Sequence, residues 1–150
     1  MILPVDISNM IPHFDNPDIE IVNLMSKIKS RKFFEDKNNV KVVVDQNMDA
    51  LYFSREPIPS TWKEENQIPM FIQVGVIAFR RNSLIRFEQM PETMLEIIES
   101  VDMNRILESG GKIRMVMTES KLIGVDTKKE AEYVTKQMGN DLIFKKYSHI

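Results

Sequence analysis

The sequence predicts an α/β layered domain built on a mixed sheet. Three observations carry that reading. Short β-branched and apolar runs of strand length recur along the chain. Charged stretches with helical apolar spacing lie between them. The two kinds do not alternate strictly, as an all-parallel sheet would require.

The elements follow in order. "DIEIVNLM" (18–25) alternates polar and apolar at its start and reads as a strand. "RKFFED" reads as a helical turn. "VKVVVD" (40–45) is β-branched, "QNMDA" turns the chain, and "LYFSR" (51–55) returns, which predicts a hairpin. "EPIPSTWKEENQIP" holds three prolines among charges and predicts a surface loop. "MFIQVGVIAFR" (70–80) is nearly all apolar and predicts a central strand buried on both faces. "RNSLIRFEQM" reads as a short helix. A longer helix is predicted over 93–109, preceded by Pro91, stopped by Gly110-Gly111 and packed on that strand. "KIRMVMTE" (112–119) is a further strand and "TKKEAEYVTKQMGN" the last helix.

At 150 residues the chain fits one domain with a sizeable core. Apolar residues make up 43% and charged residues 28%, an ordinary globular balance. The net charge of -2 argues against a nucleic-acid footprint, which needs a clustered basic face. Without cysteine there is no disulfide scaffold and no thiol chemistry, which suits a cytoplasmic location. No apolar run reaches the roughly 18–20 residues of a membrane span. "MILPVDIS" lacks the basic region and apolar core of a signal peptide. The 11 methionines read as gap-filling core residues.

Candidate functional residues are few. In "IGVDT" (123–127), Thr127 and Glu130 have capping-box spacing, which leaves Asp126 outside the cap at a strand-to-helix connection. Its carboxylate suits a hard cation such as Mg2+, or simply a turn beside a helix dipole. Met94, Ile98 and Val101 form a stripe that continues into Arg105, for which Asp102 is a candidate partner; Glu99 and Asp102 are like-charged neighbours, one of which is free to face a ligand. Arg55 ends a strand and suits bidentate binding of a carboxylate or phosphate, or plain solvation. Gln73, inside an apolar run, needs a backbone or ligand partner. His13 and His149 lack a metal-spaced partner, and neither a Ser/His/Asp set nor a glycine-rich phosphate loop is present.

Four segments in this order, "NNVKVVVDQNMDALYFSREPIP", "VGVIAFRR", "LEIIESVDMNRILESGGKIRMV" and "IGVDTKKEAEYV", resemble the C-terminal portion of the 3-deoxy-manno-octulosonate cytidylyltransferase (CMP-Kdo synthetase) family. The likeness runs from about Asp18 to Met138. It implies the C-terminal half of a Rossmann-like nucleotidyltransferase fold. It also implies a Mg2+-dependent reaction of CTP with an acidic sugar, releasing pyrophosphate. On its matching positions Asp126 is the metal-binding Asp and Arg55 lies beside the sugar pocket. Asp102 stands where the family has the Glu of a sugar-contacting Glu-Gln pair, and Met103 where it has the Gln. Gln73 replaces a His and Ile77 a Tyr, so the sugar is expected to be Kdo or a related acidic or amino sugar. The family's phosphate-binding opening segment and its Gly-Asp-Glu-Pro strand have no counterpart beyond Pro4. Asp6 is expected to cap "ISNMI" rather than substitute for the second metal ligand.

The resemblance therefore implies one domain over 1–150, the sugar-binding and dimerisation half, with the CTP-binding half absent. The expected partners are CTP, an acidic sugar and a second copy of the chain, with no nucleic acid and no membrane. The competing expectation is a non-catalytic dimerising module derived from the family.

Overall fold

A computed structural model describes residues 2–62, 69–120, 128–139 and 144. Residues Leu3–Ser120 form one compact unit, and Lys121–Ile150 with Met1–Ile2 form another. The first unit runs α1 (Pro4–Met10), a 3-10 turn (Ile11–Asp15), β1 (Ile21–Lys27), α2 (Arg31–Glu35), β2 (Lys41–Val44), β3 (Ala50–Ser54), β4 (Phe71–Phe79), α3 (Arg81–Gln89), α4 (Met94–Glu99), α5 (Met103–Glu108) and β5 (Arg114–Met117). The element described in the second unit is α6 (Lys128–Met138).

The sheet is mixed, in the order β3-β2-β4-β1-β5, with β1 and β5 parallel and the other pairs antiparallel. The predicted hairpin is β2–β3. Its turn is tied by Asp45, whose Oδ1 accepts the N–H groups of Asn47 and Asp49, each at 2.8 Å. Met48 takes a left-handed φ of 66° within that turn.

This sheet curls until its ends meet. At the hairpin tip Ala50 N–H donates to Ile113 O and Met115 N–H to Met48 O, both at 2.8 Å. Asp49 and Arg114 form an antiparallel bridge, and Arg114 Nε lies 2.7 Å from Asp49 Oδ1. An open edge strand would leave a row of unpaired backbone groups. Here the tip of the hairpin covers part of the edge of β5. The edge of β3 is covered differently. Asn104, wholly buried on α5, donates Nδ2–H to Phe53 O at 3.0 Å and accepts Phe53 N–H on Oδ1 at 3.3 Å. One carboxamide thus stands in for a neighbouring strand. The core lies inside the curl: Ile21, Met25, Val42, Phe53 and Met115 from the strands meet Val101, Met103 and Ile106 from the helical side.

Two expectations need correction. β4 is the central strand, but only Val74 along it is fully buried; β1, with Ile21 to Met25 all buried, is the covered strand. A central position supplies strand partners at both edges, not a layer on both faces. The helix expected over 93–109 is two helices. Ser100 adopts φ 52°, ψ 49°, and α5 sets off in a new direction. In one continuous helix Glu99 O and Ser100 O would accept the N–H groups of Met103 and Asn104. Arg55 takes both carbonyls instead, at 2.9 and 3.1 Å, and Asn104 N–H turns to Val101 O. The break buries Val101 and leaves Met94 and Ile98 of the supposed stripe exposed. The glycine stop is as expected: Gly110 has φ 76°, and a Cβ on Gly111 would sit 2.7 Å from Ile106 Cγ2.

Asn104→Ala should lower the unfolding free energy by about 2–3 kcal/mol, because it strands two buried backbone groups of Phe53 at once. Urea denaturation measures this. A loss below about 0.5 kcal/mol would show that the edge of β3 does not depend on Asn104.

Candidate functional site

Where β3 ends, its exit is gripped from three directions. Glu99, on the last turn of α4, receives Tyr52 Oη–H at 3.0 Å and Ser54 Oγ–H at 2.8 Å on Oε1, and Arg55 N–H at 2.9 Å on Oε2. Burial pushes the Glu99 carboxyl up, but these three donors and the charge of Lys41 outweigh it and hold the group below the ordinary glutamate range. Burial and the hydrogen bond to Glu99 raise the Tyr52 phenol.

Lys41 grips the same exit from inside. Its side chain is wholly buried, and Nζ donates to Asp36 O at 3.0 Å, to Asn39 O at 2.7 Å and to Arg55 O. Burial draws its pKa down; Glu56, Asp36 and Glu99 act against that. An ammonium has three donors, and here each meets a carbonyl.

Arg55 therefore has both backbone polar groups fixed, and its side chain is fixed as well. Nε donates to Glu99 O, Nη1 to Lys37 O at 3.1 Å and Nη2 to Ser100 O. A guanidinium has five donors. Two close the end of α4, one holds Lys37 O beyond α2, and two take no partner among the described residues and remain for an anion.

The other candidates lie on other elements. Gln73 lies on β4, where Nε2 donates to Oδ1 of Asn23 at 2.8 Å. Asp102 is exposed at the start of α5 and makes no side-chain capping bond. It is not the partner of Arg105, which pairs with Glu96: Nε meets Oε2 at 2.7 Å and Nη2 meets Oε1 at 2.5 Å. That pair is 13% and 10% exposed, so it is a buried bidentate bridge. Nη1 of Arg105 also caps Phe87 O and Met90 O, and its guanidinium lies 4.7 Å over the Phe87 ring. Glu96 wins over Asp102 because burying both charges demands parallel two-bond geometry, which a carboxylate on the neighbouring helix supplies. Asp6 does not cap "ISNMI" from in front: it lies inside α1, where it reaches back to accept Leu3 N–H at 2.8 Å, and it also receives Thr118 Oγ1–H at 2.6 Å and Ser120 Oγ–H at 2.5 Å. Asp126 and Thr127 lie outside the described residues. Among the described residues no three His, Cys, Asp or Glu side chains gather into a cation site.

Sequence reasoning missed Lys41, Tyr52, Asn23 and Asn104. A lysine inside "VKVVV" and an asparagine inside "IVNLM" are the signals that would have found two of them, since a polar group in a buried strand requires a partner.

Comparison with known proteins turns this arrangement into a class. A solved structure of CMP:2-keto-3-deoxy-manno-octonic acid synthetase complexed with CTP superposes with a TM-score of 0.87 at 34% identity, covering 95% of this chain and 58% of that one. The molecule thus has an α/β nucleotidyltransferase fold. The cytidylyltransferase family model matches residues 1–115. The 3-deoxy-manno-octulosonate cytidylyltransferase of Fusobacterium nucleatum is 40% identical over 129 residues, 85% of this chain and 52% of that protein. That of Flavobacterium johnsoniae is 39% identical over 120 residues, 79% of this chain and 49% of that protein. The chain belongs to the cytidylyltransferase family, and it spans about half the length of the curated relatives it matches.

Glu99 and Glu96 both keep their charge in the fold at lower pH than they would unfolded. Their contribution is complete above the unfolded carboxylate range, near pH 4–4.5, and is lost as the pH falls through their lower folded values. Urea stability should rise from about pH 3 to pH 5. Glu99→Gln should lose about 1–3 kcal/mol at pH 7, converging on the parent in acid. Parallel curves at every pH would show that the Glu99 charge is not what the three donors hold.

Proposed function

We propose that the chain serves acidic-sugar cytidylyl transfer, in which CTP and a Kdo-like sugar give a CMP-sugar and pyrophosphate, and that it supplies the sugar-side part of that reaction. The observation that carries this is the fixed guanidinium of Arg55, with two donors left for an anion, on a chain similar to octulosonate cytidylyltransferases. In this reading the two free N–H groups bind and orient the sugar carboxylate. Gln73 and Asp102 face its hydroxyl or amino groups. CTP is bound by elements that correspond to the other half of the relatives' length. Mg2+ when bound would neutralise phosphate charge; Asp126 is the carboxylate proposed to hold it. One carboxylate seldom strips this ion of its waters, so the chain by itself should hold Mg2+ weakly.

We also infer a homodimer. On α4, Met94, Ile97 and Ile98 are 72%, 63% and 68% exposed, and Leu51 on β3 is 61% exposed. Exposed apolar side chains of this size on neighbouring elements favour a protein partner. The same patch supports the second reading, a dimerising module without catalysis.

Phosphoryl-type transfer depends on positioning and on charge neutralisation at the phosphates. Incubated with CTP, Mg2+ and 3-deoxy-manno-octulosonate, the purified chain should therefore release no pyrophosphate above background. Adding the separately expressed N-terminal half of a relative should restore release, and Arg55→Ala should cut the restored rate about 100-fold. Release by the chain alone would contradict the division of labour; no release in any mixture would favour the module. Light scattering at high micromolar concentration should give twice the monomer mass, and Ile98→Glu should return it to one. A parent that scatters as a monomer would contradict the dimer.

A further inference from the structure

β1 and β4 do not pair evenly. The register passes from Asn23 opposite Ile77 to Met25 opposite Gln73, so four residues of β4 span two of β1. Such a bulge leaves carbonyls without ladder partners. Asn23, with no exposure at all, fills the gap: the two Nδ2 hydrogens go to Val74 O at 2.7 Å and Val76 O at 2.9 Å, with Leu24 O at 3.2 Å sharing one of them.

Those contacts fix which way round the carboxamide lies. Backbone carbonyls only accept, so the end that faces them must be nitrogen. Oδ1 then faces Gln73, and Gln73 must present its own nitrogen there, at 2.8 Å. Reversing Gln73 would set oxygen against oxygen and strip a buried acceptor of its donor. The orientation of Gln73 is therefore imposed by the bulge. Its Oε1 accepts no hydrogen bond from the described residues and is not sealed from solvent, since Thr93 Oγ1 is the unpartnered buried side-chain atom among them.

We propose that Asn23 is a positioning residue that holds Gln73 with its carboxamide oxygen outward, so that the sugar side takes a hydrogen-bond donor at that point, a hydroxyl or an ammonium group. This rests on the assignment of Gln73 to the sugar side. Asn23 touches no substrate; it acts through Gln73.

The test is NMR on the full chain labelled with 15N in glutamine. One Nε2 proton of Gln73 should exchange about fivefold or more slowly than those of the exposed Gln46 and Gln89, as a hydrogen bond worth about 1 kcal/mol dictates. Asn23→Ala should abolish the difference. Where that variant fails to fold, the parent spectrum alone decides. Exchange at Gln73 equal to that at Gln46 and Gln89 overturns the positioning claim whatever binds. Titration with 3-deoxy-manno-octulosonate, and separately with its analogue bearing an ammonium in place of a hydroxyl, should shift the Gln73 resonances. In Gln73→Glu the ammonium sugar should bind about tenfold more tightly relative to the hydroxyl sugar than in the parent. An unchanged ratio overturns the donor assignment. Binding of neither sugar to a parent with the slow proton removes the sugar-side reading and leaves the positioning claim standing.

Discussion

The Glu99 carboxylate is the constraint on which the candidate site depends. It sits where a strand leaves the sheet and a helix ends, and it accepts from Tyr52, Ser54 and the backbone of Arg55 together. A carboxylate is suited to this because it accepts and never donates, so donors from several elements converge on it without conflict. Arg55 returns the connection by closing the end of α4 with its side chain. The break at Ser100, the entry of Val101 and Met103 into the core and the posture of Arg55 all follow from this exchange. Lys41 completes it from inside, with a buried ammonium shared among three carbonyls.

A recurrent device holds the rest of the first unit. Backbone groups that no strand or helix satisfies are satisfied by one buried polar side chain each time. Asn104 serves the edge of β3, Asn23 the bulge of β4, and Arg105 the end of α3. Such groups stabilise only when every donor and acceptor is matched; a half-satisfied one is worse than an apolar residue. These are therefore the positions where small changes of side chain cost most. Apolar exchanges within the core cluster should be milder where volume is kept.

Much of the fold was legible in the sequence. The hairpin was readable because "VKVVVD" and "LYFSR" flank a short polar turn, and the stop at Gly110-Gly111 because a left-handed cap calls for glycine. The curl that joins the hairpin tip to β5 was not, because it depends on contacts between residues such as Asp49 and Arg114, far apart in the chain. The split of the 93–109 segment was hidden for a similar reason. Local periodicity favoured one helix, and a tertiary claim on two carbonyls by Arg55 overrode it. At the candidate site Arg55 and Gln73 were visible as polar residues out of place. Their partners were not, since Glu99 looked like one member of a like-charged pair and Lys41 carried no reading of its own within the strand run "VKVVVD". The Arg105–Asp102 pairing failed because spacing along one helix says nothing about a carboxylate on the next.

The central claim is that Glu99 holds the exit of β3 and thereby sets Arg55. Amide hydrogen exchange at Arg55 tests it most directly, because that N–H donates to the Glu99 carboxylate itself. In the parent the Arg55 amide should be protected. In Glu99→Ala its exchange should speed up about tenfold or more beyond that of the Val42 amide in the core, which follows the global loss of stability alone. An Arg55 amide that exchanges equally in the two proteins would contradict the account.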